Sequence, residues 1–138
     1  MLVSWEWSSR SRERLATCDP RLRVIADRVL SISQVDLTVL TGHRDEAAQT
    51  RALREGKSKL PWPRSKHNQL PSAAVDLAPY PVDWQNRERF IYVGGLVMAV
   101  AGMLGYGVRW GGDWNANGDP SDDGWDLVHF ELRDPEVR

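Results

Sequence analysis

Two histidines and two aspartates occupy positions from which they could form a metal site with a neighbouring base. His67 and Asp76 lie near the middle of the chain, and Asp126 and His129 lie near its end. A catalytic zinc ion takes about three protein ligands drawn from His, Asp, Glu and Cys, and it keeps a fourth position for water. His67, Asp76 and His129 would supply those ligands. Asp126 would then remain as a carboxylate base.

The spacing of Asp126 and His129 sets a condition on the local structure. Side chains alternate between the two faces of a strand, so residues three positions apart do not share a face. The two side chains converge only if Asp126 lies in the loop that enters a strand over residues 127–132. Asp122, Asp123 and Gly124 are typical turn residues and predict such a loop.

The composition is that of an ordinary globular protein and excludes several classes of partner. The 138 residues suffice for one domain over residues 1–138. Because the chain has 18 basic and 19 acidic residues, we expect no general attraction to nucleic acid or to a membrane surface. Cys18 is the only cysteine, so any metal must be held by His and carboxylate groups.

Neither the N-terminus nor the longest apolar stretch has the pattern of a targeting or membrane segment. The N-terminus lacks a basic start followed by a long apolar core. The longest apolar stretch, residues 93–107, contains five glycines and is too short to cross a bilayer. We therefore expect a protein made in a cytoplasm without a signal peptide, which another factor must release if it acts outside.

Capping residues and hydrophobic periodicity predict an α+β fold. Asp19 and Pro20 are a typical helix start, and apolar residues then recur at helical spacing. We predict helices over residues 20–31, 45–56 and 86–104, strands over 35–40, 73–77, 107–110 and 127–132, and a loop over 57–72. Pro79 and Pro81 are expected to end the strand 73–77. This order favours a small antiparallel sheet with packed helices.

Three runs of residues resemble the motifs of a known family. They are Ser65-Lys66-His67, Ala74-Val75-Asp76 and Asp126-Leu127-Val128-His129-Phe130-Glu131. They resemble the zinc peptidases of bacterial cell walls, which include D-alanyl-D-alanine carboxypeptidases and the L-alanyl-D-glutamate endopeptidases that phages use as endolysins. The similarity covers about residues 12–132, and the chain looks most like the single-domain phage endolysins. It implies the D-Ala-D-Ala metallopeptidase (hedgehog-like) fold.

The resemblance also implies which residues bind zinc. In the family the first His, the Asp and the last His are the ligands, which implies His67, Asp76 and His129 here. The family usually has six residues with a glycine between the first His and the Asp. This chain has eight residues there, and one of them is Pro71. The longer segment is expected to leave the ligands in place.

Roles for four further residues follow from the same resemblance. The acidic residue three positions before the last His is the general base in the family, which implies Asp126. Arg44 matches the arginine that stabilises the substrate carbonyl, and Gln49 and Ser65 are expected to bind substrate. The implied reaction is metal-assisted amide hydrolysis, in which Asp126 takes a proton from water and returns it to the leaving amine.

A second metal site is suggested by the segment between residues 113 and 124. Oxygen-bearing side chains at its first, third and fifth positions and a glycine at its sixth resemble the start of an EF-hand calcium loop. The candidate ligands are Asp113, Asn115, Asn117 and Asp119. Gly124 stands where an EF-hand has its bidentate Glu. The alternative is a metal-free Asn/Gly turn that orders the segment before Asp126.

The resemblance leaves three functions in competition. The first is a zinc-dependent phage endolysin that cleaves the L-alanyl-D-glutamate bond of peptidoglycan, acting as a monomer on the cell wall after release. The second is a D-alanyl-D-alanine carboxypeptidase. The third is a non-catalytic wall-binding protein, which we would expect to have lost Asp126 or one of the ligands.

Overall fold

A computed structural model describes residues 4–133, so residues 1–3 and 134–138 of the expected domain lie outside the described residues. Within that range the chain forms five α-helices and four strands. The helices are α1 (Ser9–Leu15), α2 (Pro20–Ile32), α3 (Glu46–Arg54), α4 (Arg87–Leu104) and α5 (Pro120–Asp123). The strands are β1 (Asp36–Thr41), β2 (Ala74–Tyr80), β3 (Val108–Trp110) and β4 (His129–Leu132).

The four strands form one antiparallel sheet in the order β1-β2-β4-β3. This confirms the predicted α+β class with a small antiparallel sheet. In the pairing of β2 with β4, Asp76 stands directly opposite His129. Side chains at directly opposed positions of neighbouring strands lie on the same face, so the register alone brings this pair together.

Alternation along β2 and β4 divides the sheet into a core face and a site face. Val75, Leu77 and Phe130 are almost fully buried in the main hydrophobic core. Asp76 and His129 occupy the alternate positions and therefore point the other way. The apolar residues of each strand thus anchor it, while its polar residues face the cleft.

Helices α2 and α4 supply most of the remaining core. Helix α2 begins at its cap Asp19, whose side chain accepts the backbone N–H of Arg21, and it buries Leu22, Ile25 and Val29 at helical spacing. Helix α4 packs against α2 and against β2 and β3. Within residues 4–133, no helix is both long enough and apolar enough to cross a membrane.

Two predicted boundaries were wrong, and two helices were missed. Strand β2 continues through Pro79 to Tyr80 instead of ending at residue 77, and β4 begins at His129 instead of at residue 127. Pro79 is tolerated because β4 pairs only with the first part of β2, which leaves β1 as the neighbour at that position. Helices α1 and α5 are short and are held by local caps, so they carry little periodic signal.

Candidate metal and catalytic site

Asp76, His67 and His129 meet on the site face of the sheet. Oδ1 of Asp76 lies 3.1 Å from Nε2 of His67 and 3.3 Å from Nδ1 of His129. One donor atom of each residue lies within 4.8 Å of the others. The eight residues between His67 and Asp76 therefore do not separate the two side chains.

His67 is fixed by the turn that carries it. It lies in a single 3₁₀ turn, Lys66–Asn68, which is capped by the side chain of Ser65. Its Nδ1 lies 2.8 Å from the carbonyl oxygen of Gly42. A carbonyl only accepts hydrogen bonds, so Nδ1 carries the proton in the neutral ring, and Nε2 presents its lone pair towards Asp76.

The His129 ring is held at Nε2, the nitrogen on the side away from Asp76. Its Nε2 lies 2.8 Å from Oε1 of Glu131, which is two positions along β4 and so on the same face. A carboxylate on Nε2 favours the neutral tautomer with the proton there, leaving Nδ1 available to a metal. Carboxylate–histidine pairs of this kind commonly orient metal ligands.

The electrostatics of the cluster suit a cation. Burial opposes ionisation of Asp76, but His67 and His129 hold its pKa well below the usual range of an aspartate. Burial likewise opposes protonation of His129, yet its bonds to Asp76 and Glu131 raise its pKa to about 10. The site thus attracts positive charge, and a metal ion would compete with the proton on His129. Two imidazoles and one carboxylate form a donor set that fits zinc.

Asp126 lies in the loop before β4, as the spacing required. Strand β4 begins only at His129, whose backbone N–H donates to the Asp126 carbonyl at 3.2 Å. The Asp126 side chain lines the same cleft as the His–Asp–His cluster. Burial, together with the charge of nearby Asp76, raises the pKa of Asp126 above the ordinary value.

Gly111 determines how closely the base approaches the sheet. The backbone N–H of Asp126 donates to the Gly111 carbonyl at 3.1 Å, and the Gly111 N–H donates to the His129 carbonyl at 2.8 Å. A Cβ atom at Gly111 would collide with the backbone oxygen of Asp126. Only glycine therefore permits this contact between the two loops.

Arg44 faces the cluster, but Gln49 does not. The Arg44 guanidinium lies 3.9 Å from Oδ2 of Asp76 and lines the cleft. Gln49 is fully buried behind it: its Oε1 accepts from Arg44 at 2.9 Å, and its Nε2 donates to Ser58 and to the Leu60 carbonyl. The expectation that Gln49 binds substrate is therefore corrected, because its amide is fully used in orienting Arg44 and the loop.

Ser65 has two possible roles, holding His67 and contacting substrate, and the sequence did not distinguish between them. Its hydroxyl accepts the backbone N–H of His67 at 3.2 Å, and the residue is nearly buried. It also lines the cleft. The geometry gives it a part in holding His67, and its predicted contact with substrate stays a prediction.

The residues expected to bind calcium lie in an exposed loop that is rich in hydrogen bonds. The Asp113 carboxylate accepts the backbone N–H groups of Asn117 and Gly118. The side-chain amides of Asn115 and Asn117 both donate to Oδ2 of Asp122.

The carboxylates of Asp119 and Asp123, in the same segment, differ in their hydrogen bonds. Asp119 caps α5 by accepting the Ser121 N–H at 2.9 Å, so Oδ1 of its carboxylate is used by the helix. Oδ1 of Asp123 is buried and has no hydrogen-bond partner within residues 4–133.

The cleft that contains the cluster has a volume of about 1000 Å³. Its rim includes Trp84 and Trp125, which are 65% and 56% exposed. Trp114 lies deeper, with its ring centroid 5.7 Å from that of His129 and 5.9 Å from that of Trp125. A space of this size is at the upper end of the range of small-molecule pockets and has room for a short segment of peptide.

Comparison with known proteins identifies the family of this chain. The model of the family described as phage L-alanyl-D-glutamate peptidase matches residues 3–133. The chain belongs to that family. It is 35% identical, over 94% of its length and 99% of the relative's, to the L-alanyl-D-glutamate peptidase of Escherichia phage T5.

A solved structure supports the fold of this family member. The Serratia marcescens L-Ala D-Glu endopeptidase ChiX superposes with a TM-score of 0.72 at 30% identity, covering 93% of this chain and 90% of that one. The chain is therefore a peptidase of the peptidoglycan-hydrolase type, and the non-catalytic alternative is set aside. The family also favours the endopeptidase over the carboxypeptidase.

Sequence reasoning assigned no role to Glu131 or to the basic residues of the cleft other than Arg44. Glu131 follows His129 by two positions in a predicted strand, and this spacing alone places both on one face. That signal was present in the sequence. No such signal marks Lys59 or Arg109, which reach the cleft from a loop and from β3.

Proposed function

We propose that this protein is a zinc-dependent endopeptidase that cleaves the L-alanyl-D-glutamate bond of peptidoglycan. The observation that carries the proposal is the convergence of His67, Asp76 and His129 beside Asp126 in one cleft. Membership of a family of that description supports the choice of bond. We further propose that it acts on the cell wall as a monomer.

His67, Asp76 and His129 would hold the zinc ion through Nε2, a carboxylate oxygen and Nδ1. When bound, zinc supplies Lewis acidity, which activates a water molecule near neutral pH and polarises the scissile carbonyl. Glu131 keeps the His129 ring in the orientation and tautomer that this role requires.

Asp126 and Arg44 would carry out the parts of the reaction that side chains perform, which are proton transfer and stabilisation of the developing negative charge. A partly buried carboxylate with a raised pKa is suited to accept a proton from water and then deliver it to the leaving amine. The Arg44 guanidinium, held by Gln49, can donate to the oxygen that becomes negative when the carbonyl is attacked. Ser65 would contact the substrate from the turn that carries His67.

The metal content of the purified protein and of two variants tests the zinc assignment. The purified protein should bind about one zinc ion per chain, and His129→Ala should lose most of it. His43→Ala is the matched control, because His43 is the third histidine and has no part in the cluster. Full zinc content in His129→Ala, measured by elemental analysis, would contradict the assignment.

We also propose that calcium binds the loop formed by Asp113, Asn115, Asn117 and Asp119. What supports this is the concentration of carboxylates around the loop and the unpaired oxygen of Asp123. Because Asp119 is used as a helix cap, it would contribute its backbone carbonyl, as the seventh position of an EF-hand loop does. Gly124 begins the link to Asp126, so an ordered loop would steady the base.

Calorimetric titration of the zinc-loaded protein with calcium tests this second site. We expect binding in the μM to mM range, since the bidentate Glu is missing. Asp113→Asn should weaken it, while Asp83→Asn, on a different loop, should not. The absence of heat at millimolar calcium, with activity unchanged, would leave only a metal-free turn.

A further inference from the structure

The cleft is lined by more basic than acidic side chains. The basic residues are Arg44, Lys57, Lys59, Arg64, Lys66 and Arg109, and the acidic ones are Asp76, Asp126 and Glu131. All three acids belong to the proposed metal and base machinery. The cleft therefore has cationic groups to offer to an anionic substrate and no spare carboxylate for a cationic one.

Three of the basic side chains are already held by oxygen atoms of the protein. Arg44 donates to Gln49, and Lys66 donates to a backbone carbonyl of β4 at 2.7 Å. The Lys57 ammonium lies 3.3 Å from the Glu55 carboxylate. Groups engaged in this way are less available to bind substrate.

Arg64, Arg109 and Lys59 remain, and Arg109 lies over the Trp114 ring, with its guanidinium carbon 5.0 Å from the ring centroid. Lys59 differs from both because it contacts the residue next to the base. Its ammonium lies 4.3 Å from the centroid of the Trp125 ring, and within residues 4–133 it forms no ion pair. The aromatic face attracts the cation without neutralising it, and the ammonium keeps N–H donors for an anion. Because Trp125 is 56% exposed and directly precedes Asp126, this cation sits at the open rim beside the segment that carries the base.

The chemistry of the scissile bond places a carboxylate near that segment. Asp126 delivers its proton to the leaving amine, so the leaving nitrogen must approach Asp126. In an L-alanyl-D-glutamate bond this nitrogen belongs to the glutamyl residue, which has two carboxyl groups. The peptide continues through only one of them. The other is a free carboxylate a few bonds from the leaving nitrogen.

We propose that Lys59 binds this free carboxylate and thereby makes the cleft selective for an acidic residue after the scissile bond. The inference rests on the proposed cleavage of the L-alanyl-D-glutamate bond and adds the residue that recognises its leaving side. An ammonium–carboxylate hydrogen bond here is stronger than the contact that a neutral amide would make. Selectivity should therefore depend on the charge of the substrate at one position.

Two synthetic stem peptides that differ only in this group provide the test. One has the free carboxylate, and the other has a carboxamide in its place. The wild type should cleave the carboxylate peptide with a kcat/KM roughly tenfold or more above that of the carboxamide peptide. Lys59→Ala should lose this preference by slowing only the carboxylate peptide, and Lys59→Arg should restore most of it.

Lys57→Ala is the matched control, because Lys57 lines the same cleft but is paired with Glu55. It should keep the preference for the carboxylate peptide. A preference that survives in Lys59→Ala, or an equal loss on both peptides, would overturn the inference. If the zinc-loaded wild type cleaves neither peptide, the proposed function fails, and this inference fails with it.

Discussion

Glu131 holds His129 from the side of the imidazole that faces away from Asp76. The 2.8 Å contact between Oε1 of Glu131 and Nε2 of His129 arises because both residues lie on one face of β4. Burial opposes ionisation of Glu131, but His129 and the nearby basic side chains keep its pKa below the usual range. A charged carboxylate is therefore available to orient the metal ligand.

Removal of that carboxylate should weaken metal binding without removing a ligand. We expect Glu131→Ala to reduce zinc affinity by roughly 10- to 100-fold, because the His129 ring loses its fixed orientation and tautomer. Glu131→Gln should lose less, since its amide oxygen can still accept from Nε2. Competition with a chromophoric chelator measures the affinity. Glu13→Ala, exposed on α1, serves as the control, and an unchanged affinity in Glu131→Ala would exclude the orienting role.

Replacement of Asp126 should lower activity and leave metal binding unchanged. Asp126→Asn keeps the shape of the side chain but cannot accept a proton, so hydrolysis of purified peptidoglycan should fall by roughly 10²-fold or more. Zinc content and thermal stability should stay close to those of the wild type. Wild-type hydrolysis by Asp126→Asn would show that Asp126 is not the base.

The contact between Gly111 and Asp126 predicts that a substitution outside the lining of the cleft will lower activity. Gly111→Ala would force the base-bearing loop away from the sheet, because its methyl group collides with the Asp126 backbone. We expect kcat to fall while the zinc content is largely retained. Gly95→Ala is a suitable control, since a Cβ atom there meets no neighbour within 4 Å. Equal activity of both variants would contradict the positioning role of Gly111.

The candidate ligands could be predicted from residue types and motif order, but their geometry could not. The sequence placed Asp126 in a loop before the last strand, and the structure agrees. The register that sets Asp76 opposite His129 depends on the pairing of β2 with β4, which are far apart in the chain. The alternation within each strand indicates which face a residue occupies, but it does not select the opposite residue on a strand so distant in the chain.

The position of Gln49 in the chain did not reveal that its side chain is buried and orients Arg44. It lies on a polar helix, α3, and a glutamine there is usually exposed. In the structure it is fully buried because its amide satisfies groups of Arg44, Asn68 and the loop around Ser58. These partners come together only in the folded chain.

The identity of the bond cleaved in purified peptidoglycan tests the central claim most directly. Mass spectrometry of the fragments released by the zinc-loaded protein should detect stem peptides with a new N-terminal D-glutamate, and L-alanine that remains attached to the glycan strand. Release of free D-alanine from stem peptides whose L-alanyl-D-glutamate bond stays intact would contradict the account and would indicate a carboxypeptidase.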